Sequence, residues 1–182
     1  MLVTKIKYTL IMALGLFPAL LMAQNTPSIG IGGEIGLPSG NFAGVSAVGL
    51  GASLKADLPV TNNLVLSLSA GYMNFFGRHN QLLQVQDLSY APAKAGLKYW
   101  LSEGFYAEGQ LGAALPLSSG LKTLLAWSPG IGTQFKLSGE NKLDLGIRYE
   151  GWSGKRDSNL ISTSSVNTKG FAGLRFAYVF GL

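Results

Sequence analysis

The stretch that most constrains this chain is its last thirteen residues, Gly170-Phe-Ala-Gly-Leu-Arg-Phe-Ala-Tyr-Val-Phe-Gly-Leu182. Every second residue belongs to one of two sets. Leu174, Phe176, Tyr178, Phe180 and Leu182 form a large apolar set; Gly173, Arg175, Ala177, Val179 and Gly181 form a small one with a single arginine. A strand sends alternate side chains to opposite faces, so this segment has one oily face that must be covered. No helix or second sheet is apparent in the sequence to cover it, and lipid is the expected solvent for that face.

The rest of the chain repeats the pattern. Alternation predicts strands at Ser28–Leu37, Ser46–Leu58, Leu64–Phe76, Ser89–Leu101, Phe105–Leu115, Thr123–Leu137, Leu143–Trp152 and Gly170–Leu182. Each is long enough to cross a bilayer at a tilt, which takes about 9–11 residues. Long polar loops are expected at Gly77–Leu88 and Ser153–Asn167, and short turns after the second, fourth and sixth strands. That asymmetry fits a chain with both ends on the periplasmic side. The expectation is an all-β, eight-stranded, antiparallel, up-and-down transmembrane β-barrel, closed because open edges leave backbone groups unpaired in hydrocarbon.

Composition agrees. Charged residues make up 13% of the 182 residues, against about a quarter in soluble domains, and there are 25 glycines and no cysteine. Lys5 and Lys7 precede the apolar run Tyr8–Met22, and Ala23-Gln24 follows it. A basic start, an apolar run and a small residue at the cut read as a secretory signal over residues 1–23, with the barrel domain over 24–182. Without Lys5 and Lys7 the 14 basic residues become 12 against 9 acidic, so the net charge of +5 falls to +3 and says little about nucleic acid.

Three features put the oily face outside. The strand charges Glu34, Lys55, Asp57, Lys94, Lys98, Glu108, Lys136, Asp144, Arg148, Glu150 and Arg175 all fall on the other face, as they must if Lys or Arg facing mid-membrane lipid costs about 2–4 kcal/mol. Glycines such as Gly30, Gly51, Gly96, Gly130 and Gly173 share that charged face. Inside a narrow eight-stranded lumen they make room for long polar side chains; on a solvated outer wall they would only weaken strands. The aromatics Tyr72, Phe76, Tyr99, Phe105, Trp127, Phe135, Tyr149, Tyr178 and Phe180 lie on the apolar face near strand ends, and so read as two interfacial girdles. A soluble barrel with a greasy pocket is the competing reading.

The segments Gly33-Glu-Ile-Gly-Leu-Pro-Ser-Gly-Asn-Phe42, Ser69-Ala-Gly-Tyr72, Ala93-Lys-Ala-Gly-Leu-Lys-Tyr99 and Leu143-Asp-Leu-Gly-Ile-Arg-Tyr149 resemble the outer-membrane β-barrel domain family of small Bacteroidetes-type proteins. The resemblance implies the outer membrane of a Gram-negative bacterium, contact with its lipid, and the barrel assembly machinery as a partner during biogenesis. It specifies architecture and location far better than activity.

Chemistry is sparse. His79, the only histidine, sits in the loop Gly77-Arg-His-Asn-Gln81 with no catalytic signature around it. A solvated loop histidine is the simpler reading than a general base for a lipid-modifying barrel enzyme. One histidine and no cysteine argue against a transition-metal site, and no cofactor is implied. The lumen charges are nearly balanced and are expected to pair, because unpaired buried charge is costly. The sequence therefore points to a non-enzymatic barrel with a structural or surface-interaction role and an ion-paired lumen. The alternatives are a narrow pore for ions or very small solutes, and a lipid-modifying barrel enzyme using His79.

Overall fold

The computed structural model describes residues 26–80, 83–84, 86–118, 121–137, 139–155 and 166–182. The expected secretory signal, 1–23, lies outside this set. The strands are β1 (Ser28–Ser39), β2 (Ser46–Pro59), β3 (Leu64–Gly77), β4 (His79–Asn80), β5 (Leu83–Gln84), β6 (Leu88–Ser102), β7 (Phe105–Pro116), β8 (Leu124–Lys136), β9 (Lys142–Lys155) and β10 (Val166–Gly181). Eight of them close a barrel in the order β1-β10-β9-β8-β7-β6-β3-β2, while β4 and β5 form a separate two-stranded hairpin. Every pairing is antiparallel, and β1 meets β10 from Ser28↔Gly181 to Ser39↔Gly170. Each barrel strand thus has two partners, which is the only way a sheet can leave no backbone edge in hydrocarbon.

One end of the barrel carries short turns. Glu103 and Gly104 alone join β6 to β7, with Gly104 at φ +83, where a side chain would be strained. The turn after β2 is closed by Val60 and Thr61 amides donating to the Leu64 carbonyl at 2.8 and 3.0 Å. The opposite end carries the longer connections, and three of these differ from the sequence expectation. The predicted loop Ser153–Asn167 is shorter, because β9 and β10 continue pairing to Lys155↔Val166 and the Ser153 and Thr168 hydroxyls share a hydrogen bond of 2.9 Å across the ladder. The predicted loop Gly77–Leu88 contains the β4–β5 hairpin and yields Leu88 to β6. The β1–β2 connection contains a 3-10 turn, Gly40–Gly44, that buries Phe42.

Alternation is kept along the walls. Leu50, Leu54, Leu97, Leu111, Ile131, Ile147 and Phe176 are exposed on the outside, while Glu34, Lys55, Asp57, Lys98, Asp144 and Arg175 are buried inside. Register shifts break it at the end of β6, between Trp100 and Ser102, and in β2. A register shift between Ser46 and Gly49 turns both inward, although their positions differ in parity.

Two of the prolines in barrel strands, Pro92 and Pro129, lie away from the strand ends. The β3–β6 ladder lapses between Ala70↔Ala93 and Met73↔Tyr90, around Pro92, and the β8–β9 ladder between Trp127↔Gly151 and Gly130↔Arg148, around Pro129. Proline brings no amide hydrogen to a ladder. Outer aromatics bridge both lapses. The Tyr72 and Ser89 hydroxyls lie 3.3 Å apart across one. Trp127 and Tyr149 pack with ring centroids 5.7 Å apart across the other.

The exposed outer wall gives the first prediction. Leu111, 59% exposed, should be a costly site for charge: Leu111→Arg should lose about 2–4 kcal/mol in lipid vesicles. Reversible urea unfolding measures it, and an unchanged midpoint would mean the wall does not face hydrocarbon.

Candidate functional site: the lumen and its two mouths

The interior is layered. Beneath the loop-bearing end lies an apolar plug built from Phe42, Met73, Phe75, Tyr90, Trp152 and Phe171, with Ala114, Leu124 and Ala126. Phe75 is its hub. Its ring centroid is 4.8 Å from that of Phe42, 4.8 Å from Phe171 and 5.6 Å from Trp152, all edge to face, the favoured geometry for aromatic pairs. The ring needs Gly49, where a Cβ would sit 2.5 Å from it. The inward glycines therefore make room for rings as well as for charges. The sequence reading missed this plug. Its strand members share the parity of the charged face, so an inward aromatic on the loop side of the charges was the available signal.

The plug rests on an ionic layer. The Trp152 indole donates to Glu150 at 2.8 Å, and Glu150 also accepts from Lys94 and Arg148, each at 2.7 Å. Arg148 continues to Glu34, and Arg175 lies 3.8 Å from both Glu34 and Asp144. Asp144 accepts from the Tyr106 hydroxyl at 2.8 Å and the Gln134 amide at 2.7 Å. Lower down, Lys55 meets Glu108 at 2.5 Å and Lys98 meets Asp57. Lys98 is fully buried, with its ammonium 4.5 Å from the Tyr106 ring centre. Most of these pairs join strands that are not neighbours: β2 to β7, β6 to β9, β6 to β2 and β9 to β1. They are struts across the lumen rather than pairs along one wall.

Ten of the eleven charges assigned to the lumen from sequence are brought together here: cations Lys55, Lys94, Lys98, Arg148 and Arg175, and carboxylates Glu34, Asp57, Glu108, Asp144 and Glu150. Five balance five. The eleventh, Lys136, is exposed. It sits at the last rung of β8, opposite Lys142, and lines a vestibule of about 670 Å³ at the short-turn end with Asp57, Trp100, Glu103 and Glu140. Within the ionic layer a smaller cavity of about 40 Å³ remains.

The nine outer aromatics fall into two groups by register. Tyr99, Phe105, Phe135, Tyr178 and Phe180 lie toward the short-turn end; Tyr72, Phe76, Trp127 and Tyr149 lie toward the loops. His79 lies in β4, at the loop end. Among the described residues no group of three or more His, Cys, Asp or Glu side chains is placed to hold a metal.

A closed eight-stranded barrel with an apolar wall and an ionic core is the class these features define. No family model matches the sequence, and no curated protein matches it. Solved structures do. The attachment invasion locus protein Ail of Yersinia pestis is 22% identical, with a TM-score of 0.52 over 86% of this chain and 100% of that one. Ail in complex with the heparin analogue sucrose octasulfate is 21% identical, with a TM-score of 0.53 over 86% of this chain and 100% of that one. Neisserial surface protein A is 15% identical, with a TM-score of 0.53 over 84% of this chain and 94% of that one. At these identities the likeness is one of fold.

Struts of this kind make a testable demand. Lys98→Met leaves Asp57 buried without its cation and should cost about 3–5 kcal/mol, whereas adding Asp57→Leu should recover most of that loss. Equilibrium unfolding of the two single variants and the double variant measures it. A single-variant loss below about 1 kcal/mol, the size of an exposed pair, would show that water reaches the pair.

Proposed function

We propose that this chain is a barrel of a Gram-negative outer membrane with a non-conducting lumen, and that its role is structural or exercised at its loop-bearing rim. The observation that carries the reading is the interior: ten balanced charges tied across the lumen, closed on the loop side by a plug of five aromatic rings. An ion entering would have to separate these pairs in a space where unpaired charge is costly, and then pass rings that offer it no polar partner. The lumen carboxylates are held by cations, tyrosine, tryptophan or amide groups, which supports a non-enzymatic reading. The motifs quoted above support membership of the small outer-membrane barrels they resemble.

Reconstitution in a planar bilayer tests the closed lumen. The intact barrel should give no unitary conductance, and the paired truncation Phe42→Ala with Phe75→Ala should still be silent because the struts remain. Steady channels from the intact protein would favour the narrow-pore alternative.

Charge placement supports an acidic partner at the rim. Leaving aside residues 1–23 and the balanced lumen, the short-turn end has Lys136 and Lys142 against Glu103 and Glu140. The loop connections and the strand ends beside them have Arg78, Lys122, Lys155, Arg156 and Lys169 against Asp87 and Asp157. The whole excess of +3 is thus on the loop side. Ail, of like fold, has been solved with a heparin analogue, which supports the same ligand chemistry here. Retention on a sulfated polysaccharide should fall steeply with salt, since such contacts are screened within about 10 Å at 0.1 M. It should also weaken in the Arg78→Glu, Lys169→Glu variant. Salt-independent retention would argue against it.

A further inference from the structure

The cavity in the ionic layer is walled by four cations, Lys55, Lys94, Arg148 and Arg175, and by two carboxylates, Glu34 and Glu108. Two of its lining residues, 6% and 3% exposed, carry a polar atom without a hydrogen-bond partner: Arg175 Nη1 and the Ser128 hydroxyl. Arg175 is held in place by its other nitrogens, with Nε donating to Ser53 Oγ at 3.1 Å and Nη2 to the Gly30 carbonyl at 3.5 Å. Nη1 lies 3.8 Å from Asp144, outside hydrogen-bond reach. A buried guanidinium nitrogen and a buried hydroxyl left without acceptors each carry the cost of desolvation with nothing to offset it.

The wall is rich in donors and poor in free acceptors. Lys55 donates to Glu108 and Lys94 to Glu150, yet each ammonium carries three hydrogens. Glu108 already accepts from Lys55 and from Gln110, and Glu34 accepts from Arg148, with Arg175 3.8 Å away as an ion pair only. A guest that only accepts fits this wall better than one that must also donate. Water needs homes for its own two hydrogens, whereas a halide needs none. The volume of about 40 Å³ exceeds the roughly 10–15 Å³ that a cavity needs to hold one water, and it leaves room for one small anion.

We propose that the lumen holds a buried site for a single small monovalent anion of the halide class, bound between Arg175 Nη1 and the Ser128 hydroxyl, the two donors of the cavity wall that lack an acceptor. The anion completes the ionic layer rather than passing through it. The site is independent of any partner at the rim.

The test uses the full-length barrel refolded in bromide, so that a trapped ion is exchanged, and crystals measured at the bromine absorption edge. One anomalous peak in the lumen touching Arg175 and Ser128 is expected, with its occupancy lost or halved in Ser128→Ala. Ordered water in the cavity with no anomalous peak, or bromide only on the outer surface as an adventitious ion, overturns the proposal. Solution unfolding gives a second readout in chloride and in sulfate at equal ionic strength. Chloride at 100 times its Kd should raise the folded-to-unfolded ratio about 100-fold, sulfate should not, and Ser128→Ala should remove most of the difference. Equal stability in the two salts overturns the proposal as well.

Discussion

The structure depends on the neutralisation of charge in a space too narrow for bulk water. An eight-stranded cylinder leaves an interior just wide enough for side chains, so a carboxylate on one wall is within reach of a cation on the opposite wall. Lys55 to Glu108 and Lys94 to Glu150 use that reach, and Arg148 to Glu34 spans the strand between them. A soluble protein would have an apolar core here and charges outside. This one is inverted, and its interior polar groups must satisfy one another because the outer wall cannot. Tyr106, Gln134 and Trp152 serve the same end by supplying neutral donors to Asp144 and Glu150.

Backbone closure imposes the second requirement. Glycine at Gly49 admits the Phe75 ring, and at Gly151, where a Cβ would meet the Trp127 ring at 2.4 Å, it lets the outer tryptophan lie flat on the wall. Small residues weaken a strand locally, but neighbouring rings cover them. Outer rings also brace the places where prolines interrupt the ladder, Tyr72 near Pro92 and Trp127 with Tyr149 near Pro129. The wall is therefore held by side chains on both faces where its hydrogen bonds are sparse.

Much of this was legible from alternation. Period two assigns a face to every strand residue, and the face of Leu50, Leu111 or Ile147 follows without knowledge of the register. Depth and partner do not follow, because they depend on strand stagger. Lys136 has the parity of the lumen but lies at its mouth, a distinction that alternation cannot make. Phe42 was hidden for another reason: the cluster Pro38-Ser-Gly-Asn41 signals a turn, but folding the next residue back into the barrel is a tertiary event. The extra pairing of Ser153 with Thr168 was masked by the polarity of both residues, which reads as loop. The inner plug was missed because attention to charge and glycine on one face passed over Phe75, Trp152 and Phe171 on that same face.

The two ends of the cylinder are chemically unlike. From the short-turn side, an open vestibule leads down to Asp57; on the loop side, among the described residues, a stack of edge-to-face rings lies over the interior charges. Hydronium, chaotropes or solutes supplied to one compartment therefore come up to the floor of the vestibule at Asp57, while the same agents supplied to the other meet an oily stopper. The barrel is chemically one-sided although its wall is nearly uniform, and experiments on oriented vesicles will read different proteins from the two faces.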